Sequence, residues 1–166
     1  MGHPAPLSII LDHCTLFMAK QCWPDGFNVG PDAPSSYKAL VREHDKYGFI
    51  TVFDGGSDHT IFGSPETNIA FRAWHDWCHL HLGADFSSEG EAAAAALQIK
   101  HLRQYGREHF IPPAAIDHAA LLIDAEVNGQ NRYYQKHKKY VKDQRSFAML
   151  YLTNPEHALS IIWHED

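Results

Sequence analysis

Residues 64–83 read SPETNIAFRAWHDWCHLHLG, and this stretch decides the fold. Ser64 is a typical helix N-cap residue, Pro65 favours the first helical position, and Glu66 places an acid in the first turn. Gly83 is a typical residue to end a helix, because glycine adopts left-handed backbone angles without strain. The sequence therefore predicts a helix of about five turns that ends just before Gly83.

This central helix is apolar on more than one side. Each residue advances by about 100°, so His79 lies only about 40° from His75 around the axis. The side with the histidines also carries Asn68, Phe71, Cys78 and Leu82, and the opposite side carries Ala73, Trp74, Trp77 and Leu80. A helix that is apolar on both sides is usually buried between neighbours. We therefore expect both histidines inside the protein or in a cleft.

The two histidines form a candidate metal site. The chain has 13 histidines, and they are dispersed along it. Buried imidazoles need hydrogen-bond partners or a metal ion. Two imidazoles at positions i and i+4 of a helix can hold one ion, and the helix fixes their separation before the ion arrives. His75 and His79 are therefore predicted to bind a divalent metal, with zinc the leading candidate.

The acid beside the first histidine extends the pattern. The segment His75-Asp76-x-x-His79 resembles the H-E-x-x-H signature of zinc metallopeptidases, with aspartate in place of glutamate. The resemblance covers five residues. It implies a metal-dependent hydrolase that acts on peptide or amide bonds, with Asp76 as the general base.

The long helix predicted after Pro113 offers a candidate for the third ligand. Catalytic zinc sites usually have three protein ligands and one open position. Glu126 stands within the apolar stripe of this helix, and a buried carboxylate is costly unless it is paired or bound to a metal. Glu126 is therefore predicted as the third ligand, with Gln130 one turn on to orient it. A salt bridge to Arg72 or Arg145 is the alternative.

Four further residues are candidates that the spacing does not select: Glu91, His44, His101 and His137. Glu91 has another explanation, because it follows Ser88 by three residues and fits a capping box at the start of the next helix.

A second enzyme hypothesis uses a different set of residues. His44, the pair His75-Asp76 and Asp124 follow one another in an order that resembles the HD-domain phosphohydrolases. That resemblance implies a metal-dependent phosphohydrolase on an all-helical scaffold. A non-enzymatic hypothesis stands beside both: the metal only ties helices together in a binding or structural protein.

The rest of the chain predicts a mainly α, bundle-like single domain over residues 1–166. Residues 35–166 are expected to form the helical core. One short β-hairpin is predicted at about 49–62, where two β-branched or aromatic runs flank a turn cluster. Residues 1–34 carry five of the nine prolines and are predicted to be an irregular covering segment, in which only 7–20 can form an element of undecided type.

Composition narrows the function classes. A chain of 166 residues with 45% hydrophobic residues is long and apolar enough for one globular domain. Its net charge of -6 argues against a nucleic-acid partner, since binders of the phosphate backbone are normally basic. We expect a small molecule or a peptide as substrate, and self-association into a homo-oligomer is compatible with the sequence.

The cysteines and the termini suggest a compartment. The chain has three cysteines and no C-x-x-C pair, which favours free thiols in a reducing environment. We find no run of about 18 apolar residues and no basic region followed by an apolar run at the N-terminus. The sequence therefore predicts a cytoplasmic protein without a membrane span.

Overall fold

The computed structural model describes residues 4–165, and the chain is mainly helical, as the sequence predicts. The helices are α1 (Ile9–Cys22), α2 (Tyr37–Tyr47), α3 (Pro65–Leu82), α4 (Ser88–Glu108), α5 (Pro113–Asp124), α6 (Gln130–His137), α7 (Gln144–Thr153) and α8 (Pro155–Ser160). A π-helical turn, Ala125–Gly129, joins α5 to α6. The strands are β1 (Asn28–Gly30) and β2 (Thr51–Phe53). No helix within the described residues is long and apolar enough to cross a membrane.

The central helix α3 forms with its predicted ends. The Ser64 hydroxyl accepts a hydrogen bond from the Thr67 amide, and Pro65 is the first helical residue. At the other end Gly83 adopts a left-handed conformation with φ of 64°. These two caps satisfy backbone groups that the helix itself leaves unpaired.

The core lies on both sides of α3. Trp74 belongs to the main cluster, which is built mostly from α1, α3, α4, α5 and α7. Ala73 belongs to a smaller cluster with Leu40 of α2 and Val52 of β2. The helix is thus buried between two apolar layers, which confirms the expectation drawn from its two-sided pattern.

The N-terminal segment is not irregular throughout, because the element of undecided type that the sequence allows at 7–20 is a helix, and residues 28–30 form a strand. Residues 9–22 form helix α1, whose N-cap Ser8 accepts a hydrogen bond from the Leu11 amide. Leu11 and Cys14 are buried in the main core. The prolines at 4, 6, 24 and 31 lie outside the helix. These prolines therefore lie before and after α1 and do not interrupt it.

The predicted β-hairpin is wrong. Strand β2 forms where the sequence places it, but it pairs in parallel with β1, with Val52 opposite Val29. Ile61 and Phe62, in the second half of the predicted hairpin, are 1% and 0% exposed within the main core. Successive side chains of a strand point to opposite faces, and one face of a two-stranded ribbon is open to water. Two consecutive buried residues therefore do not fit such a ribbon.

Candidate metal centre

Three side chains on the helical hairpin formed by α3 and α4 converge on one point. His75 Nε2 lies 2.7 Å from Glu91 Oε2, and His79 Nε2 lies 3.2 Å from the same oxygen. The two Nε2 atoms are 3.1 Å apart. Among residues 4–165 this is the one group of three histidine, cysteine or acidic residues close enough together to hold a metal ion.

Glu91 reaches the histidines because helix α4 begins one residue earlier than the capping-box prediction requires. The N-cap is Ser87, whose hydroxyl accepts a hydrogen bond from the Gly90 amide. Glu91 is therefore one position too far into the helix to close a capping box with Ser87. Its side chain instead turns towards α3 and meets both imidazoles.

Gly90 allows the start of α4 to come this close to the preceding loop. A Cβ atom at position 90 would collide with the carbonyl group of Asp85. Glycine before Glu91 is thus a sequence signal for a tight helix–loop contact. The contact holds the first turn of α4 against the end of α3 and so sets the position of the Glu91 carboxylate.

The outer nitrogen of each imidazole is held by an acceptor. His79 Nδ1 lies 2.9 Å from the carbonyl oxygen of Ala84, and His75 Nδ1 lies 2.7 Å from Gln98 Oε1. The Ala84 carbonyl can only accept, so His79 Nδ1 carries the proton, and with the Gln98 amide oxygen turned towards it His75 Nδ1 does the same. A neutral imidazole then has a lone pair on Nε2. Two lone pairs and a carboxylate oxygen therefore face one another, and they repel unless a cation, either a proton or a metal ion, lies between them.

The dimensions fit a small divalent ion. Zinc bonds to nitrogen and oxygen are about 2.0–2.2 Å long, so the ligand atoms of a tetrahedral site are about 3.3–3.4 Å apart. The separations of 3.1 Å and 3.2 Å from His79 Nε2 are close to this, whereas the 2.7 Å between His75 Nε2 and Glu91 Oε2 is shorter by more than half an ångström. Small rotations of the side chains would open the group to that size.

The charges of the group also suit a cation. Burial alone would raise the pKa of Glu91, but hydrogen bonds and Coulombic attraction from the two histidines outweigh it and lower the pKa to about 2. Burial alone would lower the pKa of His75, but its contacts with Glu91 and Gln98 outweigh it and raise the pKa. Glu91 is therefore a carboxylate over the whole neutral range, as a metal ligand must be.

One side of the group opens to a cavity of about 430 Å³. The His79 side chain is fully buried, whereas 16% of the His75 side chain and 20% of the Glu91 side chain remain exposed. Lining residues include Phe71, Arg72, His75, Phe86, Glu91, Glu126 and Tyr134. An ion between the three residues would thus be accessible from this cavity.

Asp76, the predicted general base, is half-buried beside the group. Burial raises the pKa of Asp76 to about 6, while the nearby positive charges of His75, His79 and Arg72 act in the opposite direction. Asp76 is not one of the three converging residues. The structure therefore does not bring Asp76 together with the two histidines and Glu91 as a ligand.

Glu126, the predicted third ligand, lies in the same cavity but outside the converging group. It stands on the π-helical turn, and Gln130 Nε2 donates a hydrogen bond of 2.9 Å to its Oε2 atom, as the one-turn spacing predicts. Glu91 occupies the place next to the histidines that the sequence analysis gave to Glu126. A ligand role for Glu126 stays a prediction.

The residues of the phosphohydrolase hypothesis are not brought together. His44 packs edge-on against Trp23 and lines a different cavity. Asp124 accepts a hydrogen bond from Asn128 and lines a groove beside Arg103. The geometry therefore gives this hypothesis no common centre.

Two other histidines also lie away from the metal group. His101 Nδ1 is 3.0 Å from the indole nitrogen of Trp74, and His137 Nε2 is 2.8 Å from the carbonyl oxygen of Leu159. Both have ordinary hydrogen-bond partners, which satisfies them without a metal.

Comparisons of the chain with models of protein families, with curated proteins and with solved structures found no match.

Proposed function

We propose that this protein is a metal-dependent hydrolase that holds a zinc ion between His75, His79 and Glu91. The observation that carries the proposal is the convergence of three acceptor atoms on a point that opens to a cavity on one side. Two histidines and one glutamate form one of the ligand sets of catalytic zinc, in which a fourth position is left for water or substrate.

The chemistry of the ligands supports zinc. Imidazole and carboxylate groups in a compact, four-coordinate arrangement suit this ion, whereas magnesium and calcium prefer six or more oxygen ligands. Gln98 and the Ala84 carbonyl hold the outer nitrogens of the two imidazoles. Such partners orient the ligand rings and increase their basicity, which strengthens metal binding.

When bound, a zinc ion supplies a water with a pKa of about 7 and polarises the substrate carbonyl. The protein must then remove a proton and orient the substrate. Asp76 lies one residue after His75 on helix α3, and its carboxylate is the candidate proton acceptor outside the ligand set. The cavity walls from Phe71 and Phe86 would exclude bulk water from the bound substrate.

An amide or a peptide bond is the proposed target. The resemblance of His75-Asp76-x-x-His79 to the metallopeptidase signature carries this choice. A cavity of about 430 Å³ accommodates a small molecule or a few residues of a peptide. We therefore propose small amides or short peptides as the substrate class.

The experiment that tests the function is the change Asp76→Asn in zinc-loaded protein, with Asp45→Asn on the exposed face of α2 as the control. A panel of peptides, amides and esters first identifies a substrate of the wild-type protein. Asp76→Asn should retain the metal and lower turnover by roughly 10²–10⁴-fold, the usual effect of losing a positioned acid or base. Asp45→Asn should have the activity of the wild type.

Three results would contradict the proposal in different ways. Loss of metal in Asp76→Asn would make this residue a ligand. Unchanged turnover would show that Asp76 takes no part in the reaction. A metal-loaded wild-type protein that hydrolyses nothing in the panel would favour the non-catalytic alternative, in which the ion ties α3 to α4. That alternative has one observation in its favour, because all three converging residues belong to this one helical hairpin.

A further inference from the structure

The long helical segment on the far side of the cavity is interrupted by a π-helical turn. Residues Ala125–Gly129 form this turn between α5 and α6, and Ala125 and Val127 are buried on either side of Glu126. Gly129 is packed against the ring of Tyr151, where a Cβ atom would come within 3.2 Å of the ring. A π-helical turn is rare and occurs frequently at functional sites, because it redirects a side chain within a helix.

The redirected side chain is a carboxyl group that lines the cavity shared with His75 and Glu91. Its Oε2 atom accepts the hydrogen bond from Gln130. Within residues 4–165 no donor forms a hydrogen bond with Oε1 of Glu126. One carboxyl oxygen is therefore fixed by the protein and the other is free for a molecule in the cavity.

The alternative expected from the sequence, a salt bridge to Arg72 or Arg145, does not form among the described residues. The Arg72 guanidinium donates hydrogen bonds to the backbone carbonyls of Phe53, Gly55 and Gly56 and so fastens that loop to α3. The guanidinium lies near Glu126 without an ion pair between them among the described residues. Among the described residues, Gln130 is thus the one side chain that hydrogen-bonds to Glu126, and this bond leaves its other carboxyl oxygen without a partner.

Several charged or titratable groups face Glu126. They are Arg72 and His75 from α3, Glu91 from α4, Tyr134 from α6, and Tyr140, which follows α6. Burial raises the pKa of Glu126 to about 7, although Arg72, Gln130 and His75 act to lower it. A carboxyl group in these surroundings is partly protonated near neutral pH and can donate a proton there.

We propose that Glu126 is a catalytic acid that protonates the leaving nitrogen of the substrate. This inference rests on the proposed function. It assigns Glu126 a role in the reaction instead of the ligand role that Glu91 fills.

The proton balance requires such a group. Water adds to the amide carbonyl carbon, and Asp76 takes one proton from that water. The bond between the carbonyl carbon and the nitrogen then breaks, and its electron pair goes to the nitrogen. An amine cannot leave readily as an anion, so the nitrogen takes the proton from Glu126. Exchange of one proton between the two carboxyl groups and solvent restores the starting state.

Substrates with different leaving groups test the inference. The change Glu126→Gln keeps the size of the side chain and removes its acid, and Glu108→Gln on the exposed end of α4 is the control. Two substrates with the same acyl group are compared, an alkyl amide and a 4-nitrophenyl ester. Glu126→Gln should lower amide turnover by roughly 10²–10⁴-fold. It should leave ester turnover close to that of the wild type, because nitrophenolate leaves without a proton.

The pH profile provides a second measurement. In the wild type, kcat/KM for the amide should fall as the pH rises above about 7, where Glu126 loses its proton. This alkaline decrease should be absent in Glu126→Gln. The variant Glu126→Asp, which restores an acid on a shorter side chain, should recover part of the amide turnover.

The following outcomes would overturn the inference. An equal loss of amide and ester turnover in Glu126→Gln, or no loss of either, would exclude an acid for the leaving group while leaving the proposed hydrolase intact. Loss of zinc from Glu126→Gln would make Glu126 a ligand.

Infrared spectroscopy gives a readout without substrate: wild-type protein near neutral pH should show a protonated carboxyl band that Glu126→Gln lacks. Absence of that band in the wild type contradicts the inference, whereas an inactive metal-loaded wild type contradicts the proposed function itself.

Discussion

The Nε2 atoms of His75 and His79 lie 3.1 Å apart, and the Nδ1 atom of each ring is bonded to an acceptor oxygen. Neutral rings in this arrangement direct two lone pairs at each other, beside the carboxylate of Glu91. One turn of α3 fixes the separation of the two histidines. The repulsion between their lone pairs is therefore relieved most directly by a cation. The need for that cation underlies the predictions on metal binding.

We expect the purified protein to bind about one equivalent of zinc and to be stabilised by it. At a free zinc concentration 100 times the Kd, the gain in unfolding free energy is about 2.7 kcal/mol. His79→Ala should abolish both the binding and the rise in Tm, because His79 is a fully buried member of the group. His59→Ala, at an exposed histidine, is the control. Elemental analysis and thermal unfolding with and without zinc measure the two effects. A wild-type protein that takes up no zinc contradicts the site.

The two glutamates should differ in their effect on metal binding. Glu91→Gln removes the negative ligand oxygen that touches both histidines, so zinc affinity should fall by more than about 100-fold, beyond the usual loss from an outer-shell change. Glu126→Gln should retain affinity within about tenfold of the wild type. Competition titrations with a zinc chelator measure both values. The reverse ranking would restore Glu126 as the ligand and place Glu91 outside the site.

Gly90→Ala should disturb the metal site without touching a ligand. The added methyl group collides with the Asp85 carbonyl, so the first turn of α4 must move and take Glu91 with it. We expect a loss of about 1–3 kcal/mol in unfolding free energy, typical of overpacking, together with weaker zinc binding. Gly30→Ala in β1, where a Cβ atom meets nothing within 4 Å, is the control. Equal behaviour of the two variants in urea unfolding and zinc titration would show that Gly90 does not set the site.

Glu126 should make the metal-free protein less stable at alkaline than at acidic pH. Its pKa is raised from 4.5 to about 7 on folding, so the folded state favours the protonated form. The contribution of Glu126 to the free energy of unfolding is fully present below pH 4.5 and is lost as the pH rises through about 7. Because the side chain is partly open to the cavity, we expect this contribution to the free energy of unfolding to be about 1–3 kcal/mol. In Glu126→Gln this part of the decrease between pH 4.5 and pH 8 should disappear, as measured by urea unfolding at each pH. An unchanged pH dependence would show that the carboxyl group ionises normally.

Local signals in the sequence were sufficient for α3. Its cap at Ser64, its end at Gly83 and the helical spacing of its histidines depend on residues only a few positions apart. The same holds for the hydrogen bond between Glu126 and Gln130, which are one turn apart. The register of a helix fixes such neighbours before any tertiary contact forms.

Other features could not be predicted because they depend on partners far apart in sequence. Strand β2 pairs with β1 more than 20 positions earlier in the chain, and no local pattern selects that partner over a hairpin. The identity of the N-cap of α4 depends on a choice between the adjacent Ser87 and Ser88. That shift of one residue decides whether Glu91 caps its own helix or meets the histidines.

The sequence by itself determined a mainly helical chain, the helix α3, and the placement of His75, Asp76 and His79 on one part of it. These follow from propensity, capping and periodicity, which act over one or two turns. Only the tertiary structure decided that Glu91 meets the two histidines and that Glu126 lines the same cavity. The first depends on how closely α4 returns along α3, and the second on a π-helical turn packed against Tyr151. Both are outcomes of packing between helices, and the free energy of such contacts is not encoded in any single segment.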